Sequence, residues 1–163
     1  VTGAPVTTHT DDGTVGDLQQ QVLTRGNVPS NRIIIGHSCG TTDTDYHMTI
    51  ASGGSYLGFD RFGIAALMSD EDRADSLMRL ITQGAGDRIV VSHDSVWCWK
   101  GEPFPTYAMD RLSEVMEPTR FDREIIPMLK DRGATEEQIE MLVVDNPRRF
   151  FSGESLKSLN PTS

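Results

Sequence analysis

Long apolar runs are missing from these 163 residues. No stretch approaches the roughly 20 consecutive apolar residues of a membrane-spanning helix, and the first residues lack the charged-then-apolar layout of a secretory leader. Basic residues are in deficit, 15 against 24 acidic ones for a formal net charge of -9. That balance argues against a nucleic-acid partner, whose phosphates would meet mostly like charge. Cysteine is scarce: Cys39 and Cys98 have neither zinc-ribbon nor redox-pair spacing, and they read as free thiols of a reducing compartment, the cytoplasm. No glycine-rich dinucleotide fingerprint follows any strand candidate, which weakens a Rossmann reading. An open-sheet hydrolase using Ser38 or Ser92 as nucleophile lacks its Gly-x-Ser-x-Gly elbow. No linker or internal repeat divides the chain, and 37% hydrophobic residues suffice for one ordinary core. The chain opens on Val1, directly before an apolar segment, and reads as the later portion of something longer.

What is present is an alternation of periods. Ala4 to Thr8, Arg32 to Gly36, Ser55 to Phe59 and Arg88 to Ser92 have near-continuous Val, Ile, Leu and Tyr cores, the pattern of parallel strands covered on both faces. After the first, Gly16 to Thr24 carries a stripe of Leu18, Val22 and Leu23, stopped by Gly26. After the second, Asp43 can cap a helix from Thr44 to about Ser52, ended by Gly53-Gly54. After the third, Ser69 precedes Asp70, Glu71 and Asp72, with Leu77, Leu80 and Ile81 on one face and Gly84 as the stop. Ser95 to Tyr107 reads as a long loop; Arg120 to Arg132 and Thr135 to Val143 read as helices, the second opened by a Thr135/Gln138 capping box. Pro127 should kink or interrupt the first of these, Pro147 begins a short last helix through Phe151, and residues 152–163 form a polar tail.

Such alternation gives either an open doubly wound sheet or part of a (β/α)8 barrel. Three strand candidates run into good metal binders: His9, His37 and Asp94. Barrel active sites are built at those C-terminal strand ends, so the barrel is favoured and the three side chains should emerge together. Four strands are half of such a barrel, which leaves two open edges and an uncovered interior unless another chain or segment completes it.

Five phrases occur in order: Thr2-Gly3-Ala4-Pro5-Val6-Thr7-Thr8-His9-Thr10, Ile35-Gly36-His37-Ser38, Gly58-Phe59-Asp60-Arg61-Phe62-Gly63, Ser92-His93-Asp94 and Asp145-Asn146-Pro147-Arg148-Arg149-Phe150. Together they resemble the phosphotriesterase family of the amidohydrolase superfamily, including its lactonases. The resemblance covers residues 1–151 and implies the C-terminal half, strands five to eight, of a (β/α)8 TIM barrel. It implies a hydrolase that opens lactones or related esters with a hydroxide bridging two divalent ions, zinc first and iron, cobalt or manganese as alternatives, and that turns over phosphotriesters as a side activity. By the same resemblance His9 and His37 bind one metal, and Asp94 binds the other together with the hydroxide. The family's His-x-His pair and carboxylated lysine have no counterpart in this chain, so the resemblance implies as partners the first barrel half or a second chain, within a homodimer.

The chemistry suits these residue types. Imidazoles fit zinc, iron or cobalt, and a carboxylate adds the charge that holds a second cation and can accept a proton. Asp94 read blandly is a helix cap, and His93, on the other side of the strand by alternation, is a packing residue. Arg61 can orient a carbonyl or phosphoryl oxygen and stabilise charge developing on it; its structural alternative is an ion pair with Asp60. Lactonase-like members of the family carry arginine at this point and the organophosphate-degrading branch histidine. Trp97, Cys98 and Trp99 begin the loop that would receive the acyl chain or leaving group, although one indole can equally plug the barrel mouth. The resemblance also calls for an acidic residue three positions after His37, where this chain has Gly40. A non-catalytic half-barrel remnant is the competing reading.

Overall fold

The computed structural model describes residues 2–95 and 116–159. The expected loop with Trp97, Cys98 and Trp99 lies outside them. Four strands, β1 (Val6–Thr7), β2 (Ile33–Ile35), β3 (Tyr56–Phe59) and β4 (Ile89–Val91), form one sheet in sequence order, with every neighbouring pair parallel. Each lies inside the run expected for it, and each is a β-branched or aromatic core whose flanks turn. Pairing is in step: Val6 faces Ile33, Ile34 faces Tyr56, and Phe59 faces Val91.

One helix follows each of the first three strands: α1 (Gly16–Arg25), α2 (Thr44–Ser52) and α3 (Asp70–Thr82). Asp43 caps α2 through Tyr46 N at 3.1 Å, and Ser69 caps α3 through Asp72 N at 3.0 Å. Ile33, Ile35, Leu57, Phe59 and Ile89 meet Ile50, Leu77 and Leu80 in a single buried core. Burial differs between strands. On the positions opposite this core Tyr56 is fully buried against Phe150, whereas Thr7 and Ser92 are exposed and Ile34 and Val90 half-buried, so among the described residues the expected cover on both faces is complete only at β3.

The apolar stripe of α1 is likewise not buried as expected. Leu18 is 53% and Val22 68% exposed, beside an exposed Val15, and of the stripe only Leu23 packs on the core. The buried side of α1 instead carries Gly16 and Gln20, whose amide donates to Ile50 O at 2.8 Å. The cause is topological: β1 is an edge strand, and the outer side of its helix has no neighbouring βα unit among the described residues.

Beyond Met116 Pro127 interrupts its helix and Pro147 stands in the first turn of the last one, as expected, and a wide turn precedes each. A wide, π-type turn (Phe121–Ile125) leads into α4 (Ile126–Asp131); the Thr135/Gln138 capping box opens α5 (Glu136–Glu140), and a second wide turn (Met141–Asp145) leads into α6 (Asn146–Ser152). The last two expected helices are thus one continuous run. Each wide turn ends two residues before a proline, Pro127 or Pro147. Proline lacks the N–H of the regular ladder and crowds the carbonyl four residues back, and a turn with one extra residue accommodates both effects. Asn146 then ties this run to β4 by donating to Gly86 O at 2.8 Å and Ile89 O at 2.7 Å. None of the helices described is long and apolar enough to cross a membrane.

The loop after β3 is held by a buried ion network. Arg73, fully buried, donates to Asp70 Oδ1 at 3.2 Å, Met68 O at 2.6 Å and Ile64 O at 3.1 Å. Asp70 also accepts from Gly63 N at 2.9 Å and Arg120 Nε at 3.0 Å. Removing one member of a buried pair strands the charge of the other. Arg73→Met is therefore expected to lower stability by about 3 kcal/mol, read as an earlier denaturant midpoint at unchanged slope.

Candidate metal centre

In-step pairing sets the turns that follow the four strands side by side. His9 and His37 each lie two residues past a strand, Asp60 and Arg61 follow β3 directly, and Asp94 lies three residues past β4. His37 (φ 59°) and Asp94 (φ 52°) are both in the left-handed region, an unfavourable conformation for residues with a Cβ. Such strain persists only where the surroundings enforce it.

The rings of His9 and His37 meet edge to face with centroids 4.4 Å apart. Arg61 spans the gap to the far strand: Nε donates to Asp94 Oδ2 at 3.2 Å and Nη2 donates to His9 Nε2 at 3.3 Å. His37 Nε2 lies 4.0 Å from the same Asp94 oxygen. On its other side the His37 ring donates from Nδ1 to Asp60 Oδ1 at 2.9 Å. Asp60 and Arg61 therefore do not pair with each other; one holds a histidine and the other holds the carboxylate across the sheet. Because guanidinium only donates, His9 Nε2 and Asp94 Oδ2 both present lone pairs to one positive charge.

Two neighbouring histidines support the turns. His47, fully buried, donates from Nε2 to Ser38 O at 2.8 Å, and Ser38 donates to Ile35 O at 2.7 Å, which clamps the turn that carries His37. His93 accepts from Phe121 N at 2.8 Å and stacks edge-on to Phe121, a packing role. Burial depresses the basicity of both rings. Burial, reinforced by the Asp60 charge, pushes the Cys39 thiol up to about 11, so that it is protonated at neutral pH. At Gly40 a Cβ would come within 2.8 Å of Gly13 N and 2.9 Å of the Asp12 carbonyl carbon. The loop after β1 leaves no room there for the acidic side chain that the resemblance called for.

One imidazole and a carboxylate aimed at one cation, with a second imidazole beside the carboxylate, are in kind the donors of a divalent-metal site. In number they fall short: among the described residues no group of three or more His, Cys, Asp or Glu side chains is arranged to hold an ion. Sequence reasoning singled out His9, His37, Arg61 and Asp94, and these four come together. It missed Asp60 as the partner of His37, for which Gly58 two residues earlier was the available signal.

A parallel βα sheet with polar side chains gathered at the C-terminal strand ends has the arrangement of part of a (β/α)8 barrel. The chain belongs to the phosphotriesterase family, whose model matches residues 1–151. It is 36% identical over 151 residues to a phosphotriesterase homology protein of Mycobacterium tuberculosis, covering 92% of this chain and 46% of that protein. It is 35% identical over 156 residues to an aryldialkylphosphatase of Saccharolobus solfataricus, covering 93% and 48%. The organophosphorus hydrolase of Deinococcus radiodurans superposes with a TM-score of 0.81 at 37% identity over 92% of this chain and 46% of that one. An engineered variant of a phosphotriesterase-like lactonase from the same organism superposes at 0.80 with 38% identity, over 92% and 48%. The chain thus spans about half the length of the relatives it matches, and its fold is a partial TIM barrel.

His47 and His93 make stability pH-dependent with a definite sign. Their folded-state pKa values lie below the ordinary value of about 6.5, so the unfolded chain takes up protons first. The neutral rings contribute their full stability above about pH 6.5 and lose it as pH falls through and below that value. The thermal midpoint is expected to drop on going from about pH 8 to about pH 5, and less steeply in His47→Gln.

Proposed function

We propose that this chain supplies the C-terminal half of a metal-dependent phosphotriesterase-like hydrolase that opens lactones or related esters, with phosphotriester hydrolysis as a side activity. The observation that carries the reading is the Arg61 guanidinium held between His9 Nε2 and Asp94 Oδ2, with His37 Nε2 beside that oxygen. His9 and His37 would hold one ion and Asp94 a second, with zinc the first choice before iron, cobalt or manganese. Two divalent ions bound there would supply Lewis-acid polarisation and lower the pKa of water.

The chain's own residues do the rest. Asp94 carries the charge that draws a cation and can accept a proton from the attacking water. With cations held by His9, His37 and Asp94, Arg61 would be free to orient the carbonyl or phosphoryl oxygen and stabilise charge developing on it. Trp97, Cys98 and Trp99 are proposed as the wall of the leaving-group pocket. The names of the relatives, a phosphotriesterase-like lactonase and an organophosphorus hydrolase among them, support both substrate classes. The remaining ligands, including the carboxylated lysine, would come from the first barrel half or a second chain, in a homodimer. A free, buried Cys39 suits a reducing cytoplasm.

A second reading, a non-catalytic half-barrel, is favoured by the incomplete donor set among the described residues. Native mass and metal analysis separate the two: a barrel containing a further half and bound metal supports the enzyme, and a sole 18.0 kDa chain without metal supports the remnant. In the completed barrel His37→Ala is expected to lose metal and at least about 100-fold in hydrolysis, with the fold retained. A variant with full activity would remove His37 from the site. Arg61→His is expected to move the ratio of lactone to organophosphate turnover by about tenfold toward organophosphates; an unchanged ratio removes Arg61 from substrate selection.

A further inference from the structure

The sheet ends on one carboxylate that neither substrate chemistry nor metal ligation uses. Asp60 folds back over the strands instead of facing Arg61, its neighbour in sequence. Both of its oxygens accept from His37 N at 3.1 Å, and Oδ1 also accepts from His37 Nδ1 at 2.9 Å. The Cys39 thiol, held protonated, points at the same oxygen from 3.9 Å. The side chain is only 14% exposed.

This placement is built into the sequence. Residues two apart on a strand share a face, so the carboxylate of Asp60 folds over position 58. A Cβ on Gly58 would come within 2.7 Å of Asp60 Oδ2, and one on Gly36 would lie 3.6 Å from that oxygen and 2.2 Å from Thr8 O. Gly58 clears the seat; a Cβ at Gly36 would be in ordinary contact with the carboxylate, and its absence there is required by Thr8 O instead. An ionised carboxylate only accepts, so the proton of a neutral His37 ring must sit on Nδ1 and the lone pair on Nε2. Nε2 is the nitrogen that faces Asp94, at 4.0 Å.

We infer that Asp60 is a positioning residue: seated on Gly58, it fixes the tautomer and orientation of His37 so that the Nε2 lone pair points at the cation site. Its value for metal affinity rests on the metal-centre reading above; the tautomer does not. Outer carboxylates of this kind, when removed, weaken metal binding by about 10–100-fold.

The test uses two readouts on the intact protein. Long-range 1H–15N correlation of the metal-free, labelled protein reads the His37 tautomer without any substitution. The Nδ1–H form is expected, with conversion to Nε2–H in Asp60→Ala. An Nε2–H ring in the unmodified protein, or an Nδ1–H ring that persists in Asp60→Ala, overturns the inference. Zinc affinity, measured by competition with a chromophoric chelator, is expected to fall about 10–100-fold in Asp60→Ala and to be lost in His37→Ala. If His37→Ala loses zinc while Asp60→Ala binds it as tightly as the unmodified protein, positioning is refuted and the metal centre stands. If His37→Ala keeps its zinc, the metal-centre reading fails, and the tautomer result alone decides whether Asp60 orients the ring. Should Asp60→Ala fail to fold, the tautomer read on the unmodified protein still decides: an Nδ1–H ring supports the inference and an Nε2–H ring overturns it.

Discussion

Every feature of the site depends on parallel pairing in step. Because Val6 faces Ile33, Ile34 faces Tyr56 and Phe59 faces Val91, β1 ends one residue short of β2, β2 two residues short of β3, and β3 level with β4, a stagger that still leaves the turns after them side by side. A one-residue slip of any strand would swap its two faces. At β4 it would send His93 into the site and Asp94 against Phe121. The ladder alone does not hold this register; the fully buried positions Ile33, Ile35, Leu57, Phe59 and Ile89 do, since every slip would expose part of that set.

The same arrangement explains the two places where polar and apolar groups look misplaced. Arg61 bridges Asp94 and His9 because acceptor lone pairs gathered at a strand-end cleft need a positive charge, and the nearest donor comes from the next strand. Val15, Leu18 and Val22 stay exposed because the helix after an edge strand turns its second apolar side outward, where a neighbouring βα unit would bury it. A half-barrel has both features at once: chemistry gathered at one end and an unfinished wall along one side.

Much of this was legible in the residues. Strand cores, the Asp43 and Ser69 caps and the Thr135 capping box follow from local propensity, and the structure has them where the spacing put them. The meeting of His9, His37, Arg61 and Asp94 was readable because each follows a strand. What was not readable depends on partners distant in sequence. The stripe of α1 marks an apolar face but not whether anything covers it. Pro127 was legible as an interruption and Pro147 as a helix start, whereas the wide turn that joins the last two helices into one run depends on packing such as Asn146 against the start of β4. Asp60 beside Arg61 looks like an ion pair in one dimension; in three, its carboxylate is captured by His37 first.

Gly40 carries a mechanical consequence. With backbone from the loop after β1 pressed against it, and Thr10 Oγ1 donating to Gly36 O at 2.8 Å, the segments bearing His9 and His37 are interlocked. They can shift only as one rigid jaw, so a push on either segment carries both imidazoles along and preserves the spacing between them. Any change in the width of the cleft then falls to the opposite rim, where Arg61 grips Asp94.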